Sequence, residues 1–441
     1  MQFYSTNHQS PDVSLQEAVF RGLPPDNGLY MPERIPTLPA EFFQHIDRLS
    51  LPEIAFEVSK ALLGDDVPEA DLKGIVEQAI QFEAPVVQVE PDVYVLELFH
   101  GPSMAFKDFG ARFMAALMSY FLGKEQREIN ILVATSGDTG GAVAQGFYQT
   151  PGIKVTILYP TGKVSDIQEK QLTTLGGNVT ALEVDGTFDD CQRLVKQAFL
   201  DGELRNRFNL ASANSINISR LIPQAFYYFN AYAQLKKLGK PLVFSVPSGN
   251  FGNLSAGLLA WRMGLPVKQF IAATNLNHAV PDYLHSGEYA PQPSVETISN
   301  AMDVGNPSNF IRMKLLAGED IAKIRSLVSG DFFDDTITRQ AIKTVFEKTG
   351  YVMCPHTAVA YLALKNYLRR TDEPVTGVFL STAHPAKFLP TVEETIGQPL
   401  TLPDRLESLL GKEKVAVPMS IRFEDFKAYL LNQELAMTAE S

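Results

Sequence analysis

Leu242-Val243-Phe244-Ser245-Val246-Pro247-Ser248-Gly249-Asn250-Phe251-Gly252-Asn253 is the stretch that decides the fold class of this chain. The apolar run 242–246 predicts a buried strand, and helical spacing follows over 254–263. Between them, Gly249 and Gly252 let the backbone turn tightly and approach a ligand closely. The first N–H groups of the helix and the positive end of its dipole then face the turn, which suits a phosphate monoester. No Lys-Ser or Lys-Thr pair follows the last glycine, as a Walker A loop requires, and the Gly-x-Gly-x-x-Gly dinucleotide spacing is absent. A plain strand-to-helix turn would show the same residues.

The same alternation extends in both directions. Strands are expected at 93–99, 129–134, 153–159, 179–184, 270–273 and 375–380. Helices are expected at 109–121, 142–148, 166–175 and 189–200. A long helix is expected over 221–238, with Pro223 tolerated in its first turn. Such alternation implies α/β architecture with mostly parallel sheets covered on both faces. A closed eight-stranded barrel is the rival. Two open lobes are preferred, because the glycine turns fall in separate βα groups with the long helix between them. Residues 1–90 read as a mainly helical N-terminal domain, with a capping box at Ser14-Leu15-Gln16-Glu17. Residues 91–400 form the core, and 401–441 read as C-terminal helices with a frayed polar end.

At 441 residues the chain is too long for one simple core. Its net charge of −12 argues against a nucleic-acid partner, which would require clustered Lys and Arg, but not against local binding of a small anion. Cys191 and Cys354 are far apart and fit neither a disulfide framework nor a metal site, which points to a reducing compartment. No apolar stretch reaches membrane-spanning length, and the N-terminus has neither a basic start nor an apolar core. The expectation is therefore a cytoplasmic protein without a membrane partner. The histidines never pair at metal-ligand spacing, so no metal is expected.

A second glycine turn, Thr135-Ser136-Gly137-Asp138-Thr139-Gly140-Gly141, repeats the geometry of the first. Ser136, Asp138 and Thr139 add hydroxyl and carboxylate groups, and these could serve a substrate carboxylate or simply cap the helix. Upstream, His100-Gly101-Pro102-Ser103-Met104-Ala105-Phe106-Lys107-Asp108-Phe109 places one lysine among aromatic rings at a strand-to-helix junction. Loss of hydration there would lower the pKa of the Lys107 amine and make it a nucleophile able to join an aldehyde. With two anion-ready turns nearby, the aldehyde expected is pyridoxal phosphate. Ser381 and Thr382 end the last strand, where a hydroxyl could meet a pyridine nitrogen or merely bond the backbone. Arg220, after the amide-rich run Asn214-Ser215-Ile216-Asn217, is a candidate for a second phosphate. Lys163 and Ser165 are weaker candidates.

Taken in order, these segments resemble the threonine synthase family, in its longer bacterial and fungal branch. Residues 100–108 resemble its cofactor-lysine segment, 134–140 its substrate loop and 248–253 its cofactor phosphate loop. Asn214-Ser215-Ile216-Asn217 with Arg220, and Gly22-Leu23-Pro24-Pro25-Asp26-Asn27-Gly28-Leu29-Tyr30, are similar to further family segments. The resemblance implies a fold-type II pyridoxal phosphate enzyme, tryptophan synthase β-like, acting on O-phospho-L-homoserine and water to give L-threonine and phosphate. It implies that Lys107 carries the cofactor and shuttles protons. It also implies that Gly249, Asn250, Phe251 and Asn253 hold the cofactor phosphate and that Thr382 faces the ring nitrogen. Ser136, Asp138 and Thr139 would lie at the substrate carboxylate or the ring oxygen, and Ser215, Asn217 and Arg220 at the substrate phosphate. Many fold-type II relatives carry Asn where this chain has Asp138. Rival readings are an amino-acid dehydratase, a non-catalytic binder of a phosphorylated small molecule and, more distantly, a nicotinamide dehydrogenase.

Overall fold

Short runs at the N-terminus form a small antiparallel sheet in the computed structural model, which describes residues 1–123 and 128–438. Its strands are β1 (Gln2–Ser5), β2 (Val13–Ser14) and β3 (Tyr30–Pro32), in the order β2-β1-β3. A helical reading of this region does not anticipate them, because strands this short carry little periodicity. Four helices accompany the sheet, at Leu15–Arg21, Ala40–His45, Leu51–Leu63 and Glu69–Ala79. The expected capping box is half formed. Ser14 Oγ accepts from the Glu17 N–H at 3.2 Å, but the Glu17 carboxylate pairs with Arg21 one turn on. A complete box occurs instead at Ser50 and Glu53.

Two open sheets follow. The remaining strands are β4 (Val86–Glu90), β5 (Val93–Glu97), β6 (Ile129–Ala134), β7 (Ile153–Pro160), β8 (Val179–Val184), β9 (Leu210–Ser212), β10 (Leu242–Pro247), β11 (Gln269–Thr274), β12 (Val328–Phe332), β13 (Thr376–Ser381) and β14 (Val417–Met419). The large sheet runs β12-β11-β10-β13-β5-β4, parallel except for the antiparallel β4–β5 pair. The small sheet runs β14-β8-β7-β6-β9 and is parallel throughout. The central strands are mainly apolar; β10 and β13 are buried along their whole length and β7 at every residue but Lys154, as parallel strands covered on both faces should be. Open sheets in two lobes are thus observed and the barrel is not.

Strand order reverses in the large sheet between β10 and β13, and in the small sheet between β6 and β9. The crevices beyond such reversals are where open α/β sheets bind ligands. Both glycine turns lie there, after β10 and after β6. The helix Lys107–Leu122 connects the lobes: it starts at the large sheet and packs against the helix Asp138–Phe147 of the small lobe, burying Phe109, Phe113, Met114, Leu117 and Met118.

The segment expected as one helix over 221–238 is instead four pieces. A short helix Ile218–Leu221 leads into a 3-10 turn Ile222–Ala225 with Pro223 as its second residue, the helix Phe226–Leu235 and a final 3-10 turn. Proline has no N–H for the ladder, and the tighter winding accommodates it. The C-terminal region is likewise not helical throughout. After the helix Asp404–Leu410 the chain adds β14 to the edge of the small sheet, then ends in the helix Phe423–Thr438. Part of the polar end expected to fray, 439–441, lies outside the described residues.

Phe426 on that last helix is fully buried among Cys191, Leu194, Val184 and Met419, so the C-terminus helps build the small lobe. Phe426→Ala is expected to cost about 3–5 kcal/mol. Urea unfolding would check this; a loss well under 1 kcal/mol would mean that the helix is not part of the lobe's core.

Candidate active site

The turn after β10 is built to be empty of side chains where a ligand would sit. Phe251 adopts a left-handed conformation (φ +60°, ψ 16°) as the N-cap of the helix Gly252–Arg262. A Cβ on Gly249 would lie 2.7 Å from Met302 Cα and 2.8 Å from the Ala301 carbonyl oxygen, so only glycine fits under the passing backbone. The loop's amide side chains are committed to holding its shape. Asn250 Nδ2 donates to Ser215 Oγ at 2.7 Å, and Asn250 Oδ1 accepts from the Ser308 N–H. Asn253 Nδ2 donates to the Pro247 carbonyl at 2.8 Å, while its Oδ1 accepts from the Leu254 N–H at 3.0 Å. The N–H groups of residues 249–253 find no acceptor among the described residues. Five adjacent free donors at a helix N-terminus form a cradle for a phosphate.

Across the crevice, the segment before Lys107 is zipped to the end of β13. The Phe106 N–H donates to the Thr382 carbonyl at 2.8 Å, the His384 N–H to the Met104 carbonyl at 3.0 Å, and Ala105 bridges Ala383. Lys107 is the first residue of its helix. Its side chain is half-buried, near the Phe106 ring, and its amine makes no hydrogen bond or ion pair with the described residues. Burial pushes its pKa down to about 8; the Asp138 carboxylate opposes that shift, and the Arg220 and Lys387 charges reinforce it. Of the two hydroxyls at the end of β13, Ser381 Oγ is already bonded to Thr357 Oγ1 at 2.9 Å. The Thr382 hydroxyl has no partner among the described residues and is the one free to meet a ring nitrogen.

In the turn after β6, Thr135 Oγ1 accepts from the Gly137 and Gly140 N–H groups at 3.0 and 2.8 Å. The N–H groups of Ser136, Asp138 and Thr139, and the hydroxyls of Ser136 and Thr139, remain without protein partners among the described residues. Gly137 has φ +132°, and a Cβ there would collide with the Gln168 amide. Asp138 is buried. Burial alone would raise its pKa, but the Lys387 and Lys107 charges outweigh that and hold it far below the usual carboxylate range. Lys387 Nζ lies 2.6 Å from Asp138 Oδ1, and Gln168 Nε2 donates to the same oxygen at 3.0 Å.

The amide-rich segment after β9 divides into two roles. Ser215 reaches the cradle through Asn250. Asn217 is fully committed to the scaffold: Nδ2 donates to the Val19 and Ser212 carbonyls, and Oδ1 accepts from the Ser219 N–H and hydroxyl. An amide has two donors and two strong acceptor sites, so none is left for a ligand. Arg220 is 2% exposed, donates to the Ala213 carbonyl and leaves its Nε unpaired. Burial pushes its pKa down to about 10, opposed by Asp108. Asp108 is held by the Ser103 N–H at 2.9 Å, has one orphaned oxygen and is pushed up by burial to about 6. Lys163 is exposed and away from this cluster, whereas Ser165 caps a helix and donates to the Lys387 carbonyl at 3.1 Å.

Sequence reasoning missed Lys387, Gln168 and His356. His356 is buried, accepts the Ala301 N–H on Nε2 at 3.2 Å, and is pushed down to about 4 by burial, so it is neutral at pH 7. Each sits in an unremarkable local sequence, and only the packing of distant segments brings it to the site.

These groups suit a phosphorylated, aldehyde-bearing aromatic cofactor: a free amine, a cradle of unpaired N–H groups and an unpaired hydroxyl converge on one crevice. No cluster of metal-binding side chains occurs among the described residues.

Family models for the threonine synthase N terminus, for pyridoxal-phosphate dependent enzymes and for the threonine synthase C-terminal region match residues 2–80, 80–382 and 357–429. The threonine synthase of Haemophilus influenzae is 46% identical over 432 residues, covering 98% of this chain and 100% of that protein. The crystal structure of threonine synthase from Escherichia coli superposes with a TM-score of 0.92 at 44% identity, covering 98% of this chain and 100% of that one. A threonine synthase from Brucella melitensis, solved with bound pyridoxal phosphate, gives 0.91 at 35% identity over 97% and 98% of the two chains. The chain belongs to the threonine synthase family, and its fold is that of the pyridoxal-phosphate dependent enzymes of fold type II.

Gly249→Ala is expected to force the cradle and the 301–302 backbone apart. Overpacking of this kind costs about 1–3 kcal/mol, which as cofactor affinity is roughly a 5- to 150-fold loss. Fluorescence titration of the apoprotein with pyridoxal phosphate would check it; unchanged affinity would place the phosphate elsewhere.

Proposed function

We propose that this member of the threonine synthase family converts O-phospho-L-homoserine and water to L-threonine and phosphate in the crevice between its two sheets. The observation that carries the reading is the unpaired Lys107 amine set between two glycine turns that both present free N–H groups. A cofactor needs one anion cradle; a substrate with a carboxylate and a phosphate of its own needs more. The N–H groups of residues 249–253 would hold the cofactor phosphate, with Asn250 and Asn253 acting through their backbone while their side chains fix the loop. The Thr382 hydroxyl would meet the ring nitrogen. As a neutral group it can hydrogen-bond that nitrogen without supplying a full proton.

When bound, pyridoxal phosphate supplies the electron sink that makes carbon–hydrogen bonds next to the amino group acidic. The protein's part is positioning and proton movement. Lys107 would carry the cofactor and, once displaced by the substrate's amino group, take and return protons at the substrate carbons. An amine with pKa about 8 suits both directions near neutral pH. Ser136, Thr139 and their turn N–H groups would bind the substrate carboxylate, and Asp138 lies beside them. Arg220 with its orphaned Nε, together with Ser215, would receive the substrate phosphate. Asn217 positions that segment without touching ligand. Phosphate has to leave before water adds, so the site must exclude water early, and a site lined by buried charges between two lobes favours that. Among the described residues, no helix is long and apolar enough to cross a membrane, and Cys191 and Cys354 are buried free thiols. Both facts are in keeping with a cytoplasmic setting.

Purified holoprotein given O-phosphohomoserine is expected to release threonine and phosphate in equal amounts, with Lys107→Ala losing at least about a thousandfold in rate. Phosphate with a keto acid instead of threonine would mean elimination without hydration, the outcome expected of a dehydratase-like enzyme.

The Lys107 pKa gives a second test. Below about 8 the amine is mostly protonated, so the rate of covalent cofactor uptake by apoprotein should rise about tenfold per pH unit and level off above pH 8. An ordinary lysine amine would keep accelerating towards 10.5. Stopped-flow absorbance from pH 6 to 10 distinguishes the two.

A further inference from the structure

Lys387 is the most buried cation at the site, and neither the sequence motifs nor the proposed chemistry uses it. Its side chain is 0% exposed. It lies in the 3-10 turn Pro385–Phe388 after β13, on the strand end zipped to the Lys107 segment. An ammonium carries three N–H donors. One meets Asp138 Oδ1 at 2.6 Å and one meets the Ser103 carbonyl at 2.9 Å. The third has no acceptor among the described residues. Asp138 Oδ1 takes both Lys387 and Gln168, leaving Asp138 Oδ2 without a hydrogen-bond donor among those residues. The pair therefore presents one free donor beside one free acceptor, at a point where Lys107, Asp108, His356 and His384 also feel the Lys387 charge.

A pair kept only for stability needs no spare donor. Leaving a buried ammonium N–H unpaired is costly, and an apolar pair of the same volume would serve packing as well or better. A ligand oxyanion would remove that cost. It would also resolve a conflict in the site, since the Asp138 carboxylate alone would repel an anionic ligand and cannot donate a hydrogen bond.

We propose that Lys387 is a ligand-binding residue whose third N–H donates to an oxyanion of the bound ligand, with Asp138 holding the ammonium in place. The inference rests on the reading above for the identity of the ligand. The oxyanion is either the ring oxygen of the cofactor or the α-carboxylate of the amino-acid substrate; both are anionic oxygens brought beside Lys107. Gln168 of the helix Asp166–Thr173 and its N-cap Ser165 fix the geometry from the other lobe, through Asp138 and through the Lys387 carbonyl. The contact thus joins ligand, large lobe and small lobe at one nitrogen.

The test compares wild-type holoprotein with Lys387→Met and with the double variant Asp138→Asn/Lys387→Met, which leaves no bare buried carboxylate. Two quantities are read. One is the pH midpoint of the visible absorption band of the bound cofactor without substrate. The other is the dissociation constant of the phosphonate analogue of O-phosphohomoserine, set beside that of its counterpart lacking the α-carboxylate. If the donor meets the ring oxygen, both variants shift the midpoint by at least about one pH unit. If it meets the carboxylate, the phosphonate binds at least about tenfold more weakly while the carboxylate-free counterpart is unaffected. Neither change, in protein that takes up cofactor, overturns the role of Lys387 and leaves the proposed function intact. A wild-type protein that takes up no cofactor sinks both. Should Lys387→Met fail to fold, the double variant decides alone, because it removes the donor without stranding a charge.

Discussion

A two-stranded seam holds the site together: the backbone bonds from Phe106 to Thr382 and from His384 to Met104, with the Ala105–Ala383 bridge between them. Every group proposed to touch the cofactor's reactive end is registered from this seam. It places Lys107 one residue beyond the bond that carries Thr382, so the amine and the hydroxyl proposed to meet the ring nitrogen are set by backbone geometry rather than by side-chain choice. It also carries Lys387 into the interior on the same strand end. Main-chain bonds in a buried seam are costly to break without replacement, which makes this register stiff. The seam joins segments nearly three hundred residues apart, and the large sheet pairs β13 with β5 in parallel directly beneath it.

Charge is the second constraint. The chain is acidic overall, yet Lys107, Lys387 and Arg220 converge on the crevice against two carboxylates, Asp108 and Asp138. A local excess of positive charge in a low-dielectric crevice suits an anionic cofactor and an anionic substrate. Burial makes the excess useful, because it depresses the pKa of Lys107 to the point where its amine can act in both directions. His356, neutral and accepting a backbone N–H, adds polarity without adding charge.

How much of this was legible in the sequence follows from where each signal resides. Parallel strands such as β6, β8 and β10 are mostly apolar runs bounded by turn residues, and their positions follow from composition alone. β9, β12 and β14 are short or polar edge strands, and β14 contains Pro418, which edge strands tolerate; none offers a period to read. Both glycine turns and Lys107 were legible because strand, turn and helix are contiguous in the chain. Asn217 looked like a ligand contact because amide-rich segments often are, but one of the bonds that commit it, to Val19, is to a partner nearly two hundred residues away. Lys387 and His356 were illegible for the same reason in reverse: nothing local distinguishes a buried lysine from a solvated one.

The two topological reversals then explain why one crevice can serve both ligand and lobe contact. A reversal leaves two strand ends whose loops diverge, opening a gap that neither loop fills. The large sheet contributes the cradle after β10 and Thr382 after β13; the small sheet contributes the turn after β6 and the Ser215–Arg220 segment after β9. Each reversal supplies one turn with unpaired N–H groups and one set of side chains, and the helix beginning at Lys107 links them. Asp138 and Lys387 meet where these two gaps face each other, as do Asn250 and Ser215. The contacts between the lobes are therefore made by the same residues that are proposed to border the ligand. A ligand held by those residues, as proposed, would touch the same atoms that join the lobes.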